Sequence, residues 1–165
     1  MHANLALASV SLLFLTGAVA PVKAPSIEGT YRLVSRDLPD GSKQVPPAIY
    51  GLDTYTKGYR NFNIYWKDAR GKVLSVSEVA TYQLTPKEYR EKSIFFLVND
   101  EISGKGVSYD LSAPSGVSPV TISGTRIETK LPLHGEPDIV FEGNKATATG
   151  KGAFGTFVDH WERVP

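Results

Sequence analysis

Residues Val73–Leu84 read VLSVSEVATYQL, and their parity decides the fold. Apolar side chains fall at every second position, the period of a strand that buries one face, and no helical spacing competes with it. Leu74, Val76, Ala80, Tyr82 and Leu84 share that face with one charged residue, Glu78. A carboxylate among apolar neighbours either holds its proton through desolvation or pairs with a cation, and both states suit a group that grips a polar ligand head or moves a proton.

The same period extends outward in both directions. Further alternating runs cover Thr30–Arg36, Leu52–Thr56, Tyr59–Trp66, Ser93–Val98, Val107–Leu111, Val120–Leu131, Ile139–Glu142, Lys145–Thr149 and Phe157–Val164, each bounded by Gly, Pro, Asn or Asp. About eight to ten strands in sequence predict an all-β antiparallel meander, closed as an up-and-down barrel or folded as a sandwich. Gly124 inside one long run marks a bulge or barrel corner. One segment departs from the pattern. Thr85-Pro86-Lys87-Glu88 has a capping Thr, Pro at the first helical position and Glu three residues after the cap, with Leu84 and Tyr89 spaced as a staple. It predicts one short helix over Pro86–Glu91.

Parity also assigns an inner surface. It places Tyr31 and Leu33, Phe62, Ile64 and Trp66, Val107, Tyr109 and Leu111, Ile127, Ile139 and Phe141 inward, and the Phe157, Asp159, Trp161, Arg163 face of the last run with them. His160 then points outward. An eight-stranded barrel is just wide enough to be filled by its own side chains or to hold one small ligand. The candidate ligand-binding residues are Glu78, Tyr82, Tyr109, Phe62, Trp66, Val76 and Trp161, the tyrosines because an aromatic body with a polar tip suits such a pocket.

Composition narrows the function classes. The chain has 165 residues, 41% hydrophobic and 21% charged, with 18 Lys plus Arg against 17 Asp plus Glu. This balance describes one globular domain with no surplus of positive charge to hold nucleic acid. Cysteine is absent, which removes thiol nucleophiles, thiolate metal sites and disulfides together. No G-x-S-x-G, H-E-x-x-H, S-x-x-K or glycine-rich phosphate loop occurs, and no cofactor or metal site is expected. The first charge is Lys23, after the apolar run Leu5–Ala20. That run is shorter than a spanning helix and ends in small residues, so residues 1–20 are expected to be a signal peptide, 21–28 a tether and 29–165 the barrel domain. An exported protein, periplasmic or extracellular, follows, without stable membrane insertion.

Several strings carry a family likeness. Gly29-Thr30-Tyr31-Arg32-Leu33-Val34-Ser35, Tyr55-Thr56 before a glycine turn, Ala80–Leu84 (ATYQL), Phe141–Lys145 (FEGNK) and Trp161–Val164 (WERV), in this order, resemble the bacterial and fungal lipocalin-like domain family from Gly29 to Val164. The resemblance implies a calycin-type barrel that binds small, largely apolar molecules, and it brings no catalytic residues. The superfamily closes one end of its barrel with a Trp and a basic residue from a late strand. Here Tyr31 stands in the Trp position and Arg163 matches the basic residue, a guanidinium over an aromatic face. The expectation is a monomer that binds a small hydrophobic or amphipathic molecule. The alternatives are a barrel isomerase or cyclase using Glu78 as acid or base, and a surface-interaction module using Ser112–Pro119.

Overall fold

The computed structural model describes residues 26–152 and 155–165, so the expected signal peptide and most of the tether lie outside the described residues. The strands are β1 (Gly29–Asp37), β2 (Lys43–Gln44), β3 (Ile49–Thr56), β4 (Tyr59–Lys67), β5 (Val73–Leu84), β6 (Glu88–Asp100), β7 (Gly106–Asp110), β8 (Ser115–Ser123), β9 (Arg126–Lys130), β10 (Asp138–Glu142), β11 (Lys145–Gly152) and β12 (Gly155–Arg163). Ten of them form an antiparallel circuit, β1-β3-β4-β5-β6-β8-β9-β10-β11-β12, which closes where β12 pairs with β1. Closure leaves no continuous sheet edge, while β2 adds to β1 and β7 to the second half of β6. Among the described residues no helix is long and apolar enough to cross a membrane.

The predicted helix at Pro86–Glu91 is instead the turn between β5 and β6. Thr85 Oγ1 accepts from the backbone N–H groups of Lys87 and Glu88 at 3.2 and 3.0 Å, the bonds expected of a helix cap. The chain then turns back, and Leu84 meets Tyr89 as a cross-strand neighbour rather than as a staple. A helix this short gains too few hydrogen bonds to offset its nucleation cost, whereas Tyr89, Glu91 and Ser93 alternate and complete a ladder. Gly124 likewise lies in a hairpin turn, between Ser123 and Arg126, and takes a positive φ of 61°.

Two bulges rearrange the inner surface. In β1 the register shifts at Val34, so Tyr31, Leu33 and then Arg36 all face inward. In β6 it shifts at Ile94, so Tyr89, Glu91 and Ser93 are inward before it and Phe96 and Val98 line the interior after it. The second shift has a consequence for β7, where Leu97 pairs with Tyr109 and Val98 with Ser108. Val107, Tyr109 and Leu111 therefore point outward, with Tyr109 62% exposed and its ring 6.0 Å from Phe95 on the outer face. The inward expectation for these three residues is corrected: alternation marks one face of a strand without saying which way it points, and this short strand carries its apolar face outside.

One end of the barrel is solid. Tyr31, Tyr55 and Phe141 pack edge to face at 5.4–6.2 Å, Tyr55 meets Tyr82 at 5.4 Å, and Tyr82 stacks on Tyr89. Arg163 closes this end from outside, its guanidinium 5.1 Å from the Tyr31 ring centre and its Nη2 donating to the Tyr31 hydroxyl at 2.6 Å. Gly29 has a φ of 140°, and a Cβ there would come within 2.9 Å of Arg163 Nε. Glycine is thus required by both backbone and contact.

Candidate functional site

Above the tyrosine plug sits a layer of buried charge. Arg60 shares its inward face with Phe62, Ile64 and Trp66 on β4, and its guanidinium lies 5.7 Å from the Tyr55 ring centre and 5.0 Å from that of Phe62. It donates to Asp53 on β3 at 3.1–3.4 Å, to Glu91 on β6 at 3.1 Å and to Glu136 in the β9–β10 loop at 2.7 Å. Glu78 stands behind it, 3.8 Å from Nη1. Arg60 is 1% exposed and Glu78 0%, so neither charge is relieved by solvent.

Four carboxylates around one guanidinium cannot all ionise cheaply, and burial decides which keep protons. Burial pushes Glu136 up to about 8 and Glu78 up to about 7, against the pull of Arg60. Asp53 and Glu91 are also raised by burial, with Arg60 opposing. Burial disfavours the Arg60 charge too, yet Asp53, Glu136 and Glu91 hold it firmly protonated. Both oxygens of Glu78, Oε2 of Glu91 and Oε2 of Glu136 accept no hydrogen bond among the described residues. The Ser93 and Tyr89 hydroxyls lie beside Glu78 and Glu91 without good hydrogen-bond geometry.

The β9–β10 loop folds into the barrel to complete the layer. His134 adopts a φ of 49°, uncommon for a residue with a Cβ, and stacks on Phe96 with centroids 3.7 Å apart. Its Nε2 lies 3.5 Å from Glu78 Oε1 and its Nδ1 3.9 Å from Asp110 on β7. Burial lowers its pKa, favouring the neutral ring against the pull of Asp110. Oxygens from Glu78, Glu91 and Glu136 approach within 4.8 Å of one another, a spacing suited to a cation, but Arg60 Nη1 already lies 2.7–3.8 Å from all three.

The charged layer is the floor of a cavity of about 280 Å³. Asp53, Arg60, His134 and Glu136 supply its polar end, and Phe62, Trp66, Val76, Phe96, Phe157 and Trp161 its principal walls. Higher in the wall, Arg36 grips Asp159 through two hydrogen bonds of 2.6 and 2.7 Å and lies 4.2–4.8 Å from the ring centres of Phe157 and Trp66. The bulge at Val34 makes this pair possible by turning Arg36 inward. Trp161 rests against Gly51, where a Cβ would fall 2.8 Å from the indole ring. Its Nε1–H is buried without an acceptor among the described residues.

The candidate residues thus separate into three groups. Phe62, Trp66, Val76 and Trp161 line the cavity. Glu78 faces inward beneath the floor and off the cavity wall, and Tyr82 belongs to the solid end. Tyr109 lies on the outer surface. Sequence reasoning missed Arg60 and Asp53, although Arg60 shares parity with Phe62 and Asp53 with Tyr55. It also missed Glu91, which shares parity with Tyr89, and Glu136, which sits in a loop where parity gives no signal.

The fold and site together define a closed antiparallel barrel compatible with a calycin-like fold, holding a polar-floored cavity. No family model, curated protein or solved structure matches the chain.

Proposed function

We propose that this protein is an exported, monomeric, lipocalin-like barrel that binds one small amphipathic molecule in its cavity. The observation that carries the reading is the cavity itself, about 280 Å³ of space with aromatic walls and one charged end, where a barrel could have been filled by its own side chains. Unpaired polar atoms support it, because Trp161 Nε1 and Arg36 Nη1 are buried donors and Glu136 Oε2 is a buried carboxyl oxygen, all without a partner among the described residues. Buried polar groups cost free energy unless paired, and a bound ligand supplies the partner. The isomerase alternative draws on Glu78, whose raised pKa suits acid–base work. It has less support, since Glu78 is fully buried off the cavity wall and a general acid must reach its substrate. Native mass spectrometry of the protein purified from its own host tests the binding reading. Binding predicts a species heavier by one small molecule that is released on denaturation. A bare chain that also fails to take up apolar fluorophores contradicts it.

A further inference from the structure

The charge balance of the cavity indicates what kind of head group it accepts, an inference that rests on the binding reading above. Facing one another at the floor are Asp53 from β3, Arg60 from β4, Glu78 from β5, and Tyr89 and Glu91 from β6. The β9–β10 loop adds Glu136 and also His134, which stands between Glu78 and Asp110 of β7. Among the described residues lining the cavity, both guanidinium groups are already ion-paired, Arg36 with Asp159 and Arg60 with Asp53 and Glu136, and of their nitrogens only Arg36 Nη1 is without an acceptor. An anionic head, such as a fatty-acid carboxylate, would find no free cation and would stand beside Asp53 and Glu136. A cationic head finds the reverse at Glu136, whose Oε2 has no donor, with aromatic faces around it.

A second observation, independent of the acidic group, points to a ligand in the same space. Trp161, 4% exposed, turns an unpaired N–H donor on the cavity wall, and its ring lies 6.1 Å from Phe62, which in turn covers Arg60. The cavity therefore has one unpaired carboxyl oxygen at its floor, Glu136 Oε2, an aromatic middle and two unpaired donors on its wall, Trp161 Nε1 and Arg36 Nη1. We propose that it binds a small primary amine, its ammonium seated on Glu136 with Asp53 alongside and its apolar body between Phe62, Phe96 and Trp161. A divalent metal fits less well, because Arg60 Nη1 already lies 2.7–3.8 Å from oxygens of Glu78, Glu91 and Glu136, whereas an ammonium approaches from the cavity side.

Binding is an exchange of cations. The ammonium enters, the Glu136 carboxyl gives its proton to solvent, and the net charge of the layer is unchanged. Affinity for the amine consequently falls as pH is lowered, because protons compete for the same carboxylate.

Titration calorimetry of the full chain at pH 7 tests this with three ligands of one shape: tryptamine, neutral 3-ethylindole and anionic indole-3-propionate. Buffers of different ionisation enthalpy count the protons. Tryptamine is expected to bind at least about tenfold more tightly than 3-ethylindole, with indole-3-propionate weakest and about one proton released per tryptamine. Glu136→Gln removes the tryptamine preference and the proton release while 3-ethylindole still binds. If 3-ethylindole binds and tryptamine does no better, the amine assignment fails and the cavity reading stands; if none of the three binds, both fail. Saturable binding of zinc or calcium that excludes tryptamine also overturns the amine assignment.

Discussion

Glu136→Gln offers a second test, on stability, that needs no ligand. The Glu136 carboxyl ionises near its ordinary value of 4.5 in the unfolded chain but only at about 8 in the barrel, where burial holds its proton. A group whose folded pKa is raised favours the folded state below its unfolded pKa, and that contribution is lost as pH rises through the folded value. Between pH 7 and 9 the unfolded chain has already released this proton and the folded chain is releasing it, which costs about 1.4 kcal/mol by linkage. Glu78, raised to about 7, adds roughly 0.4 kcal/mol over the same interval. His134 acts in the opposite sense, since its lowered pKa makes stability rise with pH, but only up to about its unfolded value of 6.5, below this window. Urea melts at pH 7, 8 and 9 should therefore show wild-type stability falling by about 1.5–2 kcal/mol. Glutamine keeps the oxygen that accepts from Arg60 and cannot ionise. Since at pH 7 the unfolded wild type has released a proton that its folded form still holds, the variant should be the more stable of the two there by about 3 kcal/mol, and it should lose only about a quarter as much by pH 9. A wild-type curve that is flat or rises from pH 7 to 9 would show that the buried acids are not holding protons, and would refute the reasoning.

Three further outcomes are expected. Arg163→Ala strips the hydrogen bond and the stacked guanidinium from Tyr31 and should lower stability by about 1–3 kcal/mol, with lysine restoring part of it; an unchanged urea midpoint would show that this contact does not close the barrel. Gly51→Ala places a methyl 2.8 Å from the Trp161 ring, so it should push the indole into the cavity, at a cost of about 1–3 kcal/mol, and shift tryptophan emission. Export predicts that the protein recovered outside the cytoplasm begins between Val19 and Lys23, and N-terminal sequencing that finds intact Met1 on membrane-embedded material would contradict it.

Period-two alternation was enough to read the antiparallel strands, because each has one buried face and the turns carry Gly, Pro and Asn, while it left a barrel and a sandwich alike open and only the family likeness pointed to a barrel. It also picked out Glu78, the one charge on the inner face of β5. What alternation could not show is where parity breaks. Val34 and Ile94 are ordinary strand residues, yet the extra residue each inserts turns Arg36 and Phe96 inward. Those two shifts create the Arg36–Asp159 pair and the surface on which His134 stacks. The partners of Glu78 come from two other strands and a loop, brought together only when the sheet closes. Arg60 and Asp53 were legible in principle, since each shares parity with apolar neighbours; Glu136 was not, because a loop residue's direction is set by tertiary contacts.

The most direct measurement of the central claim uses the chain's only two tryptophans, Trp66 and Trp161, which both line the cavity. An apolar fluorophore such as N-phenyl-1-naphthylamine, excited through tryptophan, reports occupancy of that space. Ala148 is also on the cavity wall, and Ala148→Trp fills the space from β11 without touching the Arg60 layer's own groups. Binding in the cavity predicts saturable one-to-one uptake by the wild type, followed by direct excitation of the probe, and loss of most affinity in Ala148→Trp with the fold intact by circular dichroism. Equal binding to both proteins, or none to the wild type, would contradict it.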